Sequence, residues 1–395
     1  MIPVAQAREE IRQRALPLPA ETVSLPEARG RILREAAAAA EDMPPFDRSA
    51  MDGYAVRADD PGTEWEIVGE VCAGETKDIE VKAGRAVRIF TGARLPAENL
   101  KVIMQEDVAA DGPRVRLTRP GKNSHIRRRG EDARAGDVLL PAGTPLDAAG
   151  LAVLASVGRG SVSVSRAPRV FHLTTGDEIV APEQPLGPGQ IRNSNAFLIG
   201  ALCREYGAGS VTHRHAPDRL ETMTAQLEEC GAATHDLVLV SGGSGAGKYD
   251  FTAELFRQLG AEICFRQVDV RPGKPLIFGA AGGRLVFGLP GNALSHYVCF
   301  HLFVRLALDG LIGRVPGDEL PTAFLAEALE EAGNPRETWW PAQTRVREGR
   351  VELRPRPWKS SGDITRLPGS DALFRIPAGT PRLPAGARVE YLPTR

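Results

Sequence analysis

No stretch of this chain approaches the ~20 consecutive apolar residues that a helix needs to cross a bilayer, so no membrane partner is expected. Cysteine is scarce. Cys72, Cys203, Cys230, Cys264 and Cys299 are odd in number, lie far apart and form no C-x-x-C; neither a disulfide framework nor a thiolate zinc site follows. An excess of one charge is also lacking. The 49 basic and 50 acidic residues leave a formal net charge of −1, which argues against a polyanion held by bulk electrostatics and hence against nucleic acid. The run Arg127-Arg128-Arg129 is answered at once by Glu131 and Asp132 and reads as a solvated turn. His213 and His215 alternate on an expected strand and read as a packed or solvent-facing pair rather than a metal site. The N-terminal segment has the pattern of an amphipathic helix, not of a charged-then-apolar export signal. A cytoplasmic chain with reduced thiols is the expectation.

What is present is ordinary globular composition, 42% hydrophobic and 25% charged, with room for about two to four domains at ~100–200 residues each. The rhythm changes along the chain. Residues 1–42 carry two helical patterns, the second running from Leu25 through the alanines at 36–40 and stopping before Pro44-Pro45. Residues 43–142 are short apolar runs punctuated by Gly, Pro and Asp, an all-β module. Helical pattern returns after Asp147 and stops near Gly158, so that 1–42 and 143–166 together read as a helical stalk into which the β module is inserted. Residues 167–315 alternate strands with amphipathic helices, which means βαβ units and a mostly parallel sheet. The tail, 316–395, returns to short strands with a hairpin signal at Glu348-Gly349, a small β barrel or sandwich.

In an open parallel sheet, ligands bind beyond the carboxyl ends of the strands. Five loops are expected on that rim: Thr174-Thr175-Gly176-Asp177-Glu178, Ala216-Pro217-Asp218, the glycine-rich run from Ser241 to Asp250, Arg271-Pro272-Gly273-Lys274-Pro275 and Gly288-Leu289-Pro290-Gly291-Asn292. Glycine lets backbone N–H groups turn toward an anion. Glu178, Asp218 and Asp250 could hold a divalent cation such as Mg2+, which takes one or two carboxylates together with phosphate. Arg271 and Lys274 offer positive charge to an oxyanion. Any one loop has a dull reading, Asp218 as a helix cap and Pro-Gly-Lys-Pro as a turn; five together point to an anionic, phosphorylated ligand with a metal. The span from Gly242 to Lys248 satisfies most of a P-loop, but Tyr249 stands where Ser or Thr must hold magnesium, and no Walker-B strand follows.

Against this background the string Pro44-Pro45-Phe46-Asp47-Arg48-Ser49-Ala50-Met51-Asp52-Gly53-Tyr54-Ala55-Val56-Arg57 resembles the signature of the molybdopterin molybdenumtransferases, the family that includes the gephyrin E domain. Further similar segments follow in family order: Phe90-Thr91-Gly92-Ala93, Met104-Gln105-Glu106, Arg129-Gly130-Glu131-Asp132, Gly136-Asp137, Gly189-Gln190-Ile191 with Asn195, and the rim loops above. The likeness covers most of the chain and fades in the tail. It implies a multidomain α/β plus β fold: a central α/β domain like the molybdopterin adenylyltransferases, an inserted β module, an N-terminal helical stalk and a C-terminal small β barrel. It also implies a homodimer that inserts molybdate, its substrate, into adenylylated molybdopterin with divalent metal and release of AMP. Molybdopterin adenylyltransferase and acceptor molybdoenzymes are its implied partners.

By the same resemblance, Arg271, Lys274, Arg345 and Ser361 are the choices for molybdate, a tetrahedral dianion that needs cationic and hydrogen-bonding partners. Glu178, Asp218 and Asp250 stand on the metal side. Asp52, Thr91 and Asp132 would come from the inserted module as further catalytic residues. Thr175, Gly176, Asp177, Ser241, Gly242, Gly243, Lys248, Pro290, Gly291 and Asn292 would line phosphate and pterin.

Several positions depart from the family pattern. Gln267 stands where a lysine is usual, Arg271 replaces another lysine, and Arg192-Asn193 replaces Tyr-Asp. In the glycine loop Gly245 stands for serine and Lys248 for an acid; reversing a charge beside Asp250 is worth about 1 kcal/mol or more per nearby pair, depending on burial. Two readings compete: a working transferase in which Lys248 restores the lost charge, or a paralogue that binds and delivers the nucleotide or finished cofactor without insertion. A scaffold role like that of gephyrin finds no long linker to support it.

Overall fold

The computed structural model describes every residue except 122, 232–233, 243–250, 316, 318, 331–333 and 395. The chain divides into two compact units. The first comprises residues 1–34, 145–147 and 162–395, the second residues 35–144 and 148–161.

In the first unit, α1 (Val4–Arg14) forms because Val4, Ala7 and Ile11 fall on one face and are buried there. The six-stranded sheet consists of β1 (Arg169–Thr175), β2 (Ser210–Ala216), β3 (Leu237–Ser241), β4 (Glu262–Phe265), β5 (Ile277–Ala281) and β6 (Arg284–Leu289), in the order β2-β1-β3-β6-β5-β4. Strands β2, β1, β3 and β6 are parallel, and buried Val170-Phe171 and Leu237-Val238-Leu239-Val240 are the continuous apolar runs that two covered faces require. The sheet is mostly parallel, as expected, with one reversed strand: β5 runs antiparallel to both β6 and β4. Sequence reading did not resolve β5, a short run only two residues from β6. Since β5 reverses twice, β4 still points the same way as β6, and its carboxyl end reaches the same rim.

Helices α2 (Ser194–Glu205), α3 (Leu220–Glu229), α4 (Phe251–Gln258), α5 (Ala293–Cys299) and α6 (Arg305–Leu311) cover the sheet, with a π-helical turn, Phe300–Val304, joining the last two. One apolar core gathers α1, α2, α5 and α6 on one face, and a second gathers α3 and α4 on the other. Full burial of each Leu or Phe there is worth ~1.5–3 kcal/mol.

The tail closes into a five-stranded barrel. Its strands β7 (Thr322–Leu325), β8 (Glu337–Arg347), β9 (Arg350–Pro355), β10 (Ala372–Ile376) and β11 (Arg388–Pro393) run in the ring β8-β9-β7-β11-β10-β8. Trp340, Ala342, Leu353 and Phe374 fill it. The hairpin between β8 and β9 turns on Glu348 and Gly349, both at positive φ (50° and 74°), the backbone a two-residue turn requires.

The second unit carries its own six-stranded sheet, ordered 100–104, 53–57, 85–89, 64–71, 114–117, 108–111, and the helix Ala148–Ser156. The second N-terminal helix expected over 25–40 is absent. Its place is taken by the 3-10 turn Leu25–Glu27, isolated bridges at Ile32 and Leu33, and the strand Ala37–Ala38, which pairs with Val138–Leu140. Pro26 and Gly30, the latter at φ 78°, interrupt the run, and Ala37 and Ala39 are buried alternately, with period two. Tertiary pairing overrides alanine's helix propensity here.

Candidate functional site

Beyond the carboxyl ends of the strands lies a cleft of about 520 Å3. All five expected rim loops reach it: Thr174, Thr175 and Glu178 after β1, Asp218 after β2, Ser241 and Gly242 after β3, Pro275 before β5, and Pro290, Gly291 and Asn292 after β6. The opposite wall is Ile179, Ile191, Arg192, Asn193, Ser194 and Asn195, with Gly362 from the tail. Two glycines are demanded by geometry. Gly176 sits at φ 142°, and a Cβ there would lie 2.6 Å from Glu178 Oε2; Gly242 sits at φ 105°, and a Cβ there would lie 2.6 Å from Thr175 Oγ1. The carboxylate and the two loops close together only because these positions carry no side chain.

Hydrogen bonds fix the walls. Asn193 caps α2 by accepting from the Ala196 N–H at 3.1 Å, while its Nδ2 donates to Thr174 Oγ1 at 2.9 Å. Asn195 Nδ2 donates to the Gly291 carbonyl at 2.8 Å. Asn292 Nδ2 donates to Ser361 Oγ at 2.7 Å, and the Ser361 carbonyl accepts from the Leu294 and Ser295 N–H groups. The Asp218 N–H donates to Asp177 Oδ1 at 3.4 Å. Thr175 Oγ1 and Asn195 Oδ1 are buried with no hydrogen-bond partner among the described residues; a ligand can supply what they lack.

Beneath the cleft floor, His172 on β1 and His296 on α5 both point Nε2 at Ser241 Oγ, at 2.7 and 2.6 Å. Burial pushes the His172 imidazole well below its usual range, with His213 and His296 adding to the effect. Burial lowers His296 to about 4, partly offset by the Asn292 carbonyl. Neither histidine was singled out in the sequence. The available signal was a histidine inside the apolar strand Val170-Phe171-His172-Leu173.

Of the residues expected in the site, Thr175, Glu178, Asp218, Ser241, Gly242, Pro290, Gly291 and Asn292 come together on the cleft, and Gly176, Asp177 and Ser361 adjoin it. Gly243, Gly245, Lys248 and Asp250 lie outside the described residues. The expected cations stand apart from the lining. Arg271 sits in the two-residue strand Val270–Arg271, paired with β8, its guanidinium 4.9 Å over the Trp358 ring. Lys274 is exposed. Arg345 is gripped by Glu352 across the β8–β9 ladder, at 2.8 Å from Nε and 2.7 Å from Nη2. Among the described lining residues the charge comes instead from Arg192, Glu178 and Asp218.

In the second unit, Asp52 Oδ1 accepts from both the N–H and the hydroxyl of Thr91, at 2.8 and 2.7 Å, which holds its carboxyl below the usual range. Asp132 pairs with Arg127. Among the described residues no group of three His, Cys, Asp or Glu could hold a metal, and no helix is long and apolar enough to cross a membrane.

Three family regions match in order: MoeA N-terminal region (domain I and II) over 2–158, probable molybdopterin binding domain over 172–310, and MoeA C-terminal region (domain IV) over 325–394. A molybdopterin molybdenumtransferase of Staphylococcus epidermidis is 30% identical over 402 residues, covering 100% of this chain and 96% of that one. One from a Nostoc species is 35% identical over 386 residues, 94% of this chain and 88% of that one. A crystal structure of a molybdopterin biosynthesis MoeA protein of Pyrococcus horikoshii superposes with a TM-score of 0.82 at 28% identity, over 99% of both chains.

Proposed function

The chain belongs to the molybdopterin molybdenumtransferase family, and from that premise we propose that it inserts molybdate into adenylylated molybdopterin, releasing AMP and the molybdenum cofactor. The observation that carries this is the convergence of five rim loops on one cleft inside the segment matched as a probable molybdopterin binding domain.

The cleft suits such a ligand. Ile179 and Ile191 offer apolar surface to a flat ring, while Thr175 Oγ1 and Asn195 Oδ1 await polar partners. Arg192 is a cation on the cleft lining and would be a partner for phosphate charge. Ser361, tied to Asn292, together with Arg271 and Lys274, is our choice for holding molybdate. Glu178 and Asp218 are hard oxygen donors on one cleft, which fits magnesium; they would hold it, with Asp250 as a third ligand. When bound, the ion neutralises phosphoanhydride charge. The protein's own part is electrostatic and positional: the loops orient the anhydride, and their fixed dipoles face the charge that develops. The same reading carries a cytoplasmic homodimer, in keeping with five free thiols.

A second reading, binding and delivery without insertion, is favoured by two observations. Gln267 brings no charge, and Arg345 is already neutralised by Glu352. The deciding experiment is AMP release from adenylylated molybdopterin with magnesium and molybdate, beside Asp218→Ala. Molybdate-stimulated AMP release that the variant loses supports the transferase; tight binding with no AMP overturns it in favour of the carrier.

A further inference from the structure

Ser241 closes β3 at the cleft floor, 3% exposed, with an imidazole on either side of its hydroxyl. A serine hydroxyl has one proton and two lone pairs, so the tautomers decide what it can offer a ligand. His296 Nδ1 lies 3.4 Å from the Asn292 carbonyl, which can only accept. That places a proton on Nδ1 of the neutral ring and leaves Nε2 bare. Ser241 must then donate its proton to His296 Nε2, and His172 Nε2–H must donate to Ser241 Oγ. His172 Nδ1 is left without a proton, which fits its having no partner among the described residues. The reverse assignment buries an orphan N–H at His172 and sets two lone pairs against each other at Asn292, and an orphaned buried donor costs ~1–3 kcal/mol.

We propose that His172 and His296 are positioning residues that turn the Ser241 hydroxyl proton away from the cleft. Ser241 then presents only a lone pair to the ligand, and selects a donor group there, a hydroxyl, an N–H or a bound water, over an anionic oxygen. The arrangement resembles a nucleophile with its base and orienting carbonyl. It does not act as one. A ring this deeply buried resists the charge that taking the proton would create, and the second imidazole ties down a lone pair of the attacking oxygen. The assignment goes beyond the transferase reading and stands without it.

The test is histidine 15N NMR of the full chain at neutral pH, with H172L and H296L for assignment. His296 should be protonated at Nδ1 and bare at Nε2, and His172 the reverse. Both rings protonated at Nε2, or either ring charged, overturns the proposal. Titration with inorganic pyrophosphate reads the consequence. Removing the acceptor in H296L frees the hydroxyl proton, and pyrophosphate should bind about tenfold tighter, the worth of one hydrogen bond to a charged group. H172L should show no gain, and S241A combined with H296L should lose it. A merely structural histidine would weaken binding in both single variants, and that result also overturns the proposal. If H296L fails to fold, the wild-type tautomers decide alone.

Discussion

Several polar side chains of the cleft are held by identifiable partners, so single substitutions there have separable effects. Glu178 and Asp218 share the cleft with the place proposed for magnesium. Replacing either by Ala should raise the magnesium concentration that half-saturates AMP release. The rise should be at least the ~10–100-fold that loss of a mere supporting partner of a metal ligand costs. An unchanged magnesium titration in both variants moves the metal elsewhere. Asn292 and Ser361 are joined at 2.7 Å, so N292A and S361A should not add. A double-mutant cycle on kcat/KM should return a coupling of about 0.5–1.5 kcal/mol, the range for one hydrogen bond; additive effects would mean that the two act independently.

At the level of elements, α1 approaches α6 closely enough that a Cβ on Gly310 would lie 2.2 Å from the Ala15 carbonyl. Gly310→Ala should therefore cost about 1–3 kcal/mol in urea unfolding, the range for overpacking, whereas Gly160→Ala meets nothing and should be neutral. The start of β3 is fastened by Asp236, which accepts from Arg166 at 3.0 and 2.6 Å and from the Arg169 N–H at 2.8 Å. Burial alone would raise this carboxyl, but the Arg166 and Arg169 contacts outweigh it and hold the pKa below its usual value. A depressed carboxylate stabilises the fold above its unfolded value of ~3.9 and loses that contribution as pH falls through the lower, folded value. Asp236→Asn should thus cost about 1.5–3 kcal/mol at pH 7, and its gap from wild type should close as pH falls below ~3.9.

Over the whole molecule, His172, His296 and His301 are buried in the first unit and held neutral, chiefly by burial, with His296 near 4 and His301 near 3. In the unfolded chain each binds a proton below ~6.5. Stability is therefore fully present above ~6.5 and should fall as pH drops from there toward the folded values. The slope reaches ~1.4 kcal/mol per pH unit for each histidine in this window. Urea titrations at pH 7.5, 6 and 5 would measure it, and His301→Phe should lower the slope by one proton's worth.

Much of this was legible in the chain itself. Alternation of apolar strands with amphipathic helices after residue 167 marked the α/β unit, because each element must bury its own stripe. The rule that ligands sit beyond the carboxyl ends of parallel strands puts Thr175, Glu178, Asp218, Ser241 and Asn292 on one rim from the chain alone. The Ser49 to Arg57 string identified the family. What periodicity could not carry were contacts between residues distant in sequence. The alanines at 37–39 became a strand because residues 138–140 pair with them. Arg345 is paired with Glu352 because the two lie opposite each other on neighbouring strands. The two imidazoles meet Ser241 only because β1, β3 and α5 converge from 69 and 55 residues away. Local pattern determined which elements form and which face each buries. Only long-range packing decided which charges are spent on each other, and which way the one proton at the cleft floor points.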